Sequence, residues 1–177
     1  MSENLKLQPI QNWLKKNNWF FYDHQLETLN QSINGHDILL IAPTGGGKTL
    51  AGFLPSLHDL INNKFPDNKL HTLYISPLKA LTIDVHRNLT NPIEDQKLDI
   101  RVETRTGDTS NYKKTRQKEV PPHMLMTTPE SLALLLADTQ AKEYFKILRY
   151  LIIDEIHSLV NSKRGDLLSL NLSRLNN

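Results

Sequence analysis

The 177-residue sequence contains no cysteine, which excludes disulfides, thiolate metal sites and a cysteine nucleophile and fits a reducing compartment. Charge of either sign is barely in excess. The 21 basic and 19 acidic side chains leave a net charge of +2, too small for bulk electrostatics to argue for nucleic acid. No run of about 18 apolar residues occurs, and residues 1–12 lack both a continuous apolar stretch and a small-residue cleavage site. Membrane spanning and secretion are therefore not expected, and a cytoplasmic location is. Internal repeats and low-complexity tracts are absent too. What is present is 38% hydrophobic and 23% charged residues over the length of one ordinary domain, which predicts a soluble chain folded around one apolar core.

Apolar residues between Ile10 and Ile33 recur at spacings that predict two helices, broken near Trp19–Tyr22 and stopped by Asn34-Gly35. Short apolar runs then alternate with helical patterns. Ile38–Ala42 leads into a glycine loop and a helix through about Ile61, and Leu73-Tyr74-Ile75 leads through Ser76-Pro77 into a helix to about Leu89. Ile100-Arg101-Val102 ends at Thr106-Gly107-Asp108, and Met124-Leu125-Met126 leads through Thr128-Pro129 into Glu130–Ala137. Tyr150–Ile153 runs into Asp154-Glu155, with another helix from about Asp166. Continuous apolar strands alternating with helices predict a doubly wound α/β domain with a mainly parallel sheet covered on both faces. Residues 1–34 form an N-terminal helical segment in this reading, and residues 35–177 the domain proper.

The strongest chemical signal is the loop Ala42-Pro43-Thr44-Gly45-Gly46-Gly47-Lys48-Thr49 between an apolar run and a helix. Glycines let the backbone curl with its N–H groups inward, and the new helix adds the positive end of its dipole. Lys48 then reaches the β- and γ-phosphates of ATP, and the Thr49 hydroxyl takes a position on Mg²⁺. A glycine-rich helix cap would explain Gly45–Gly47 but would leave Lys48-Thr49 without a reason. The match to the Gly-x-x-x-x-Gly-Lys-Thr pattern is partial.

A second constellation is Asp154-Glu155-Ile156-His157 at the end of the run Tyr150–Ile153. At the carboxyl end of a buried strand, Asp154 faces the phosphate site and holds Mg²⁺, usually through water. Glu155 is placed to polarise the attacking water. Alone, the Asp-Glu pair reads equally well as a helix start; paired with the loop, it does not. His157 has no second metal ligand at suitable spacing, so a hydrogen-bonding role beside the γ-phosphate fits it better.

Together with Ser76-Pro77-Leu78-Lys79-Ala80-Leu81, Arg105-Thr106-Gly107-Asp108-Thr109, Thr127-Thr128-Pro129-Glu130-Ser131-Leu132 and Ser162-Lys163-Arg164-Gly165, these residues resemble superfamily 2 DExH helicases of the Lhr (large helicase-related) type. Within that type the likeness points to the ligase-associated branch of bacterial DNA repair. It runs in order from about Ile10 to the end. The resemblance implies a RecA-like P-loop domain, the first of two, that binds ATP and Mg²⁺ and engages DNA. By the same resemblance Lys48, Asp154, Glu155 and His157 are catalytic, and Ser76, Pro77, Leu78, Lys79, Thr127, Thr128, Pro129 and Glu130 touch the nucleic-acid backbone. Helix N-terminal N–H groups beside Pro77 and Pro129 suit phosphate oxygens, although a capped helix start explains both segments without DNA. Arg105 is either a DNA contact or a solvated charge, and the cluster Lys113, Lys114, Arg116 and Lys118 reads as an exposed helix face. The family's adenine-contacting glutamine falls at Gln25, near Trp19 and Phe20, but Tyr22-Asp23-His24 replaces the usual residues before it.

The resemblance also implies that the sequence stops short of a Ser-Ala-Thr-like strand and of a second RecA-like domain carrying an arginine finger. The expectation is a truncated motor domain that folds poorly alone, binds nucleotide weakly, turns over little and unwinds nothing without a completing domain or chain. The alternative is a non-catalytic nucleotide- or nucleic-acid-binding fragment of a split or decayed helicase gene. A small P-loop kinase would leave the Asp154–His157 box unexplained.

Overall fold

Four short apolar runs make the strands of one parallel sheet. The computed structural model describes residues 7–43 and 45–175. In chain order the elements are α1 (Gln8–Lys16), α2 (Asp23–Ile33), α3 (Lys48–Asn62), β1 (Thr72–Ile75), α4 (Lys79–Asp95), β2 (Val102–Arg105), α5 (Asn111–Glu119), β3 (Met124–Thr127), α6 (Pro129–Leu136), α7 (Ala141–Phe145), β4 (Tyr150–Ile153), a 3₁₀ turn (Ile156–Ser158) and α8 (Lys163–Leu175).

The chain divides into two compact units, residues 1–64 with 89–99 and residues 65–88 with 100–177. Helix α4 contributes its first part to the second unit and its last part to the first. In the first unit α2 packs along α3, and Leu29, Ala51, Phe53, Leu54 and Leu57 are buried. The periodicity predicted for α1 and α2 is realised, with the break at Asn17–Tyr22.

The second unit holds the sheet, in the order β2-β3-β1-β4. All four residues of β1 and of β3 are buried, whereas β2 and β4, at the edges, are half covered. That burial explains why the central strands Thr72-Leu73-Tyr74-Ile75 and Met124-Leu125-Met126-Thr127 lack a polar face. Leu70, Leu73, Ile75 and Leu125 pack with Leu132, Leu135 and Leu136 of α6, Tyr144 of α7 and Leu168 of α8. Helix α6 starts where the sequence requires it. The Thr128 hydroxyl accepts from the Ser131 N–H, and Pro129 occupies the first turn, where a missing N–H costs nothing.

Three local expectations are corrected. Residues 37–43 form no strand: among the described residues no ladder reaches them, and Ile38, Leu39 and Ile41 are 41%, 73% and 85% exposed. A strand exists only through its partners' hydrogen bonds, and an apolar run without them remains extended chain. The strand expected at Ile100–Val102 lies at Val102–Arg105. Helix α4 runs past Leu89 to Asp95 despite Pro92, and α7 was not foreseen.

Candidate functional site

The glycine loop belongs to the first unit. Gly45 and Gly47 have φ of 79° and 72°, the left-handed region that glycine enters without a Cβ penalty. Gly47 is the N-cap of α3, so Lys48 and Thr49 stand in the first turn of a 15-residue helix, at the positive end of its dipole. The Gly46 N–H donates to the Pro43 carbonyl at 3.0 Å, and Lys48 Nζ donates to the carbonyls of Ala42 (2.8 Å) and Pro43 (3.0 Å). Thr44 lies outside the described residues.

Gln25 is buried against this loop. Its Oε1 accepts the Tyr22 N–H at 3.0 Å and its Nε2 donates to the Gly47 carbonyl at 3.0 Å, tying the start of α2 to the start of α3. The neighbouring aromatics are not core: Trp19, Phe20 and Tyr22 are 54%, 80% and 55% exposed.

In the second unit, the strand register gathers the other motifs. Ile75 pairs with Thr127 on one side and Ile153 on the other, and Thr127 pairs with Arg105. Arg105, Thr127, Ser76 and Asp154 therefore line the carboxyl rim of the sheet, where open α/β folds bind their ligands. Hydrogen bonds join them: Thr127 Oγ1 donates to the Arg105 carbonyl (2.7 Å), Ser76 N to the Thr127 carbonyl (3.0 Å) and Asp154 N to the Ile75 carbonyl (2.9 Å).

The Asp154 carboxylate is held at both oxygens, Oδ1 by the Glu155 N–H at 2.9 Å and Oδ2 by the Tyr74 hydroxyl at 2.6 Å. Burial, and then the bond to Asp154, push the Tyr74 phenol far above its ordinary pKa, so it remains a donor. Glu155 sits at φ 49°, ψ 39°, left-handed for a residue with a side chain, and its Oε2 lies 3.3 Å from His157 Nε2. His157 is largely exposed and turns toward Glu155.

The residues expected to meet nucleic acid divide by exposure. Ser76, Pro77, Thr127, Thr128 and Pro129 are buried, and Leu78, Lys79 and Glu130 are exposed. Arg105 is turned inward, donating from Nη1 to the Lys114 carbonyl at 2.9 Å, with burial lowering its pKa. Two cations of the quoted segments are ion-paired across motifs. Lys79 Nζ lies 2.8 Å from Asp108 Oδ1, and Arg164 holds Glu130 through Nε (2.5 Å) and Nη2 (3.1 Å). Sequence reading did not find these pairs, nor the Tyr74–Asp154 bond. The available signal for the last was a tyrosine inside an otherwise aliphatic strand, since a buried phenol needs a partner.

The donor set fits a Mg²⁺–nucleotide, judged unit by unit. Backbone N–H groups, an ammonium and a hydroxyl suit phosphate oxygens, and a carboxylate held at both oxygens suits a hard cation. Among the described residues no group of three or more His, Cys, Asp and Glu could hold a metal by itself.

A profile of the DEAD/DEAH box helicase family matches residues 22–177. ATP-dependent helicase Lhr-Core protein 2 of Thermococcus barophilus is 39% identical over 96% of the chain and 21% of its own length. The Lhr helicase/uracil glycosylase of Escherichia coli is 39% identical over 85% of the chain and 11% of its own length. The structure of the Mycobacterium smegmatis helicase Lhr bound to ssDNA and AMP-PNP superposes with a TM-score of 0.79 at 38% identity, covering 86% of this chain and 20% of that one. The RNA-bound helicase Mss116p, 20% identical with a TM-score of 0.86 over 97% of the chain, shares the fold. The chain thus spans about a fifth of the length of the archaeal Lhr-Core relative it matches. It belongs to the DEAD/DEAH box helicase family, as a RecA-like domain of the Lhr type.

Proposed function

We propose that this chain binds Mg²⁺–ATP and engages DNA as the first motor domain of an Lhr-type ATP-dependent helicase. The observation that carries the reading is the sheet rim, where three ladders in register bring Ser76, Arg105, Thr127 and Asp154 to one end of the strands. In this role backbone N–H groups at the start of α3 would donate to phosphate oxygens, and Lys48 would exchange the Ala42 and Pro43 carbonyls for the β- and γ-phosphates. Thr49 of the first unit and Asp154 of the second are the residues that would hold the cation, which would supply charge neutralisation to the phosphate oxygens. Glu155 accepts a proton from the attacking water, and His157 orients Glu155 across their 3.3 Å contact. Gln25 retains one N–H and one lone pair beyond its two bonds in the chain, enough to read an adenine edge as well as tether the loop.

Ser76–Lys79 and Thr127–Glu130 are assigned to the DNA backbone, with Lys79 as the direct charge contact. Support for single-stranded DNA comes from the ssDNA bound in the similar Lhr structure. With this function goes a cytoplasmic location; no helix among the described residues is long and apolar enough to cross a membrane. Unwinding is assigned to this domain working with a second RecA-like body, in keeping with the chain's spanning about a fifth of the Lhr-Core relative's length. An arginine finger from such a body is worth about 10³–10⁵ in rate.

The test is nucleotide binding and ATP hydrolysis, with and without single-stranded DNA, on this chain and on Lys48→Ala and Glu155→Gln, each checked for folding by circular dichroism. Lys48→Ala should lose nucleotide, and Glu155→Gln should bind it without turnover. Nucleotide binding indifferent to Lys48→Ala would defeat the proposal.

A further inference from the structure

Strand β1 carries a tyrosine where its neighbours are aliphatic. Tyr74 is 1% exposed, so its ring packs as a leucine would, but its hydroxyl must be accommodated. It is accommodated by Asp154. The 2.6 Å separation from Oδ2 is in the range of charge-assisted O–H···O⁻ bonds. In this bond the phenol is the donor and the carboxylate the acceptor. Both residues lie within the second unit.

The other restraints on Asp154 come from backbone. Its N–H donates to the Ile75 carbonyl, and its Oδ1 accepts from the Glu155 N–H. These fix the main chain and one oxygen, but Glu155 is itself in the left-handed conformation, at the start of a turn rather than in a regular element. Tyr74 is the only side-chain donor to Asp154 among the described residues, and it projects from a fully buried strand. Partners of this kind fix the orientation of a metal-binding carboxylate.

From this geometry we infer that Tyr74 is a positioning residue for the cation: its hydroxyl orients the Asp154 carboxylate that would hold Mg²⁺ in the nucleotide complex. The inference rests on the reading that Asp154 is a cation-holding residue. It assigns Tyr74 no contact with nucleotide or metal.

The experiment compares this chain with Tyr74→Phe, which keeps the ring and removes only the hydroxyl. Binding of a fluorescent ADP analogue is titrated in Mg²⁺ and again in EDTA, with thermal unfolding followed in parallel. Tyr74→Phe should bind the analogue in EDTA as the parent does and lose about tenfold of the affinity that Mg²⁺ adds, in line with other orienting partners of metal ligands. Added to Asp154→Ala, Tyr74→Phe should cause no further loss.

An equal loss in Mg²⁺ and EDTA would mean that the hydroxyl only supports the fold, and an unchanged Mg²⁺ increment in Tyr74→Phe would mean that it does nothing for the site. Either overturns the inference while leaving the nucleotide-binding function intact. A parent chain that binds the analogue with no Mg²⁺ increment would remove the assignment of Asp154 and the inference with it.

Discussion

The Gln25 amide nitrogen donates to the Gly47 carbonyl at 3.0 Å, and a Cβ built on Gly47 would lie 2.5 Å from that same nitrogen. The loop glycine is therefore required twice. Its φ of 72° costs an L-residue about 1–2 kcal/mol, and any side chain there must also displace a buried carboxamide. Gly45, with φ 79° and nothing within 4 Å of a built Cβ, carries the backbone requirement alone.

Gly47→Ala should accordingly weaken nucleotide binding more than Gly45→Ala, the excess being the steric displacement of Gln25. An excess of about tenfold in dissociation constant corresponds to about 1.4 kcal/mol. Fluorescence titration of both variants makes the comparison. Equal losses would show that Gln25 moves aside freely and that its bond to the loop is incidental.

Lys79 and Asp108 form an exposed ion pair, 2.8 Å apart with half or more of each side chain in solvent. Such a pair contributes less than about 1 kcal/mol to stability, so its interest lies in competition with phosphate. Lys79→Ala should weaken single-stranded DNA binding across sequences and lower the slope of log affinity against log salt by about 0.7, the value of one phosphate contact. Asp108→Asn should strengthen binding by releasing the ammonium. Anisotropy titrations over a salt series read both effects. A Lys79→Ala chain with an unchanged slope would take Lys79 out of the interface.

The fold was legible where burial is symmetric. Leu73-Tyr74-Ile75 and Met124-Leu125-Met126 are buried on both faces and read as strands, and Tyr150–Ile153 fell where its apolar run ends at Asp154. Ile38–Ala42 has the same composition and is no strand here, because composition records the tendency to pair and not whether a partner is present. The glycine loop was legible for a different reason, since positive φ and close approach leave glycine as the only economical residue. The ion pairs Lys79–Asp108 and Glu130–Arg164 were not legible. Each joins residues 29 or 34 positions apart through loop geometry that no periodicity encodes. Arg105 misled in the opposite sense, because a guanidinium read as a DNA contact or solvated charge is buried beneath the Lys114 carbonyl.

Gly165 makes a separate demand on the chain. Its φ is unexceptional, but a Cβ there would sit 2.2 Å from the Leu159 carbonyl oxygen, a backbone atom that cannot swing away. The glycine lets α8 begin directly against the turn that follows Asp154–His157, where its N–H donates to the Ser162 carbonyl and hydroxyl. Gly165→Ala should cost about 1–3 kcal/mol in urea unfolding, as overpacking does. Leu134→Ala, at a position 71% exposed, should stay within about 0.5 kcal/mol of the parent. If Gly165→Ala were equally silent, the approach of α8 to Leu159 would be looser than its geometry indicates.

Glu130 and Arg164 make a two-pronged contact, with Nε and Nη2 donating at 2.5 and 3.1 Å. The hydrogen bond from Arg164 holds the Glu130 carboxyl below its ordinary pKa, against a smaller opposing effect of burial. A carboxyl depressed by folding stabilises the fold above its unfolded pKa, about 4.3 for glutamate, and loses that contribution as pH falls through the folded value. Both side chains are more than a third exposed, so solvent screening limits the contribution to less than about 1 kcal/mol. The parent chain should therefore exceed Glu130→Gln in urea midpoint at neutral pH, and the two should converge as the solution is acidified past the glutamate range. Added salt should narrow the gap at neutral pH as well. A gap that persists in acid would assign the role of Glu130 to packing rather than charge, since only the ionised carboxylate accepts both guanidinium bonds as a charged partner.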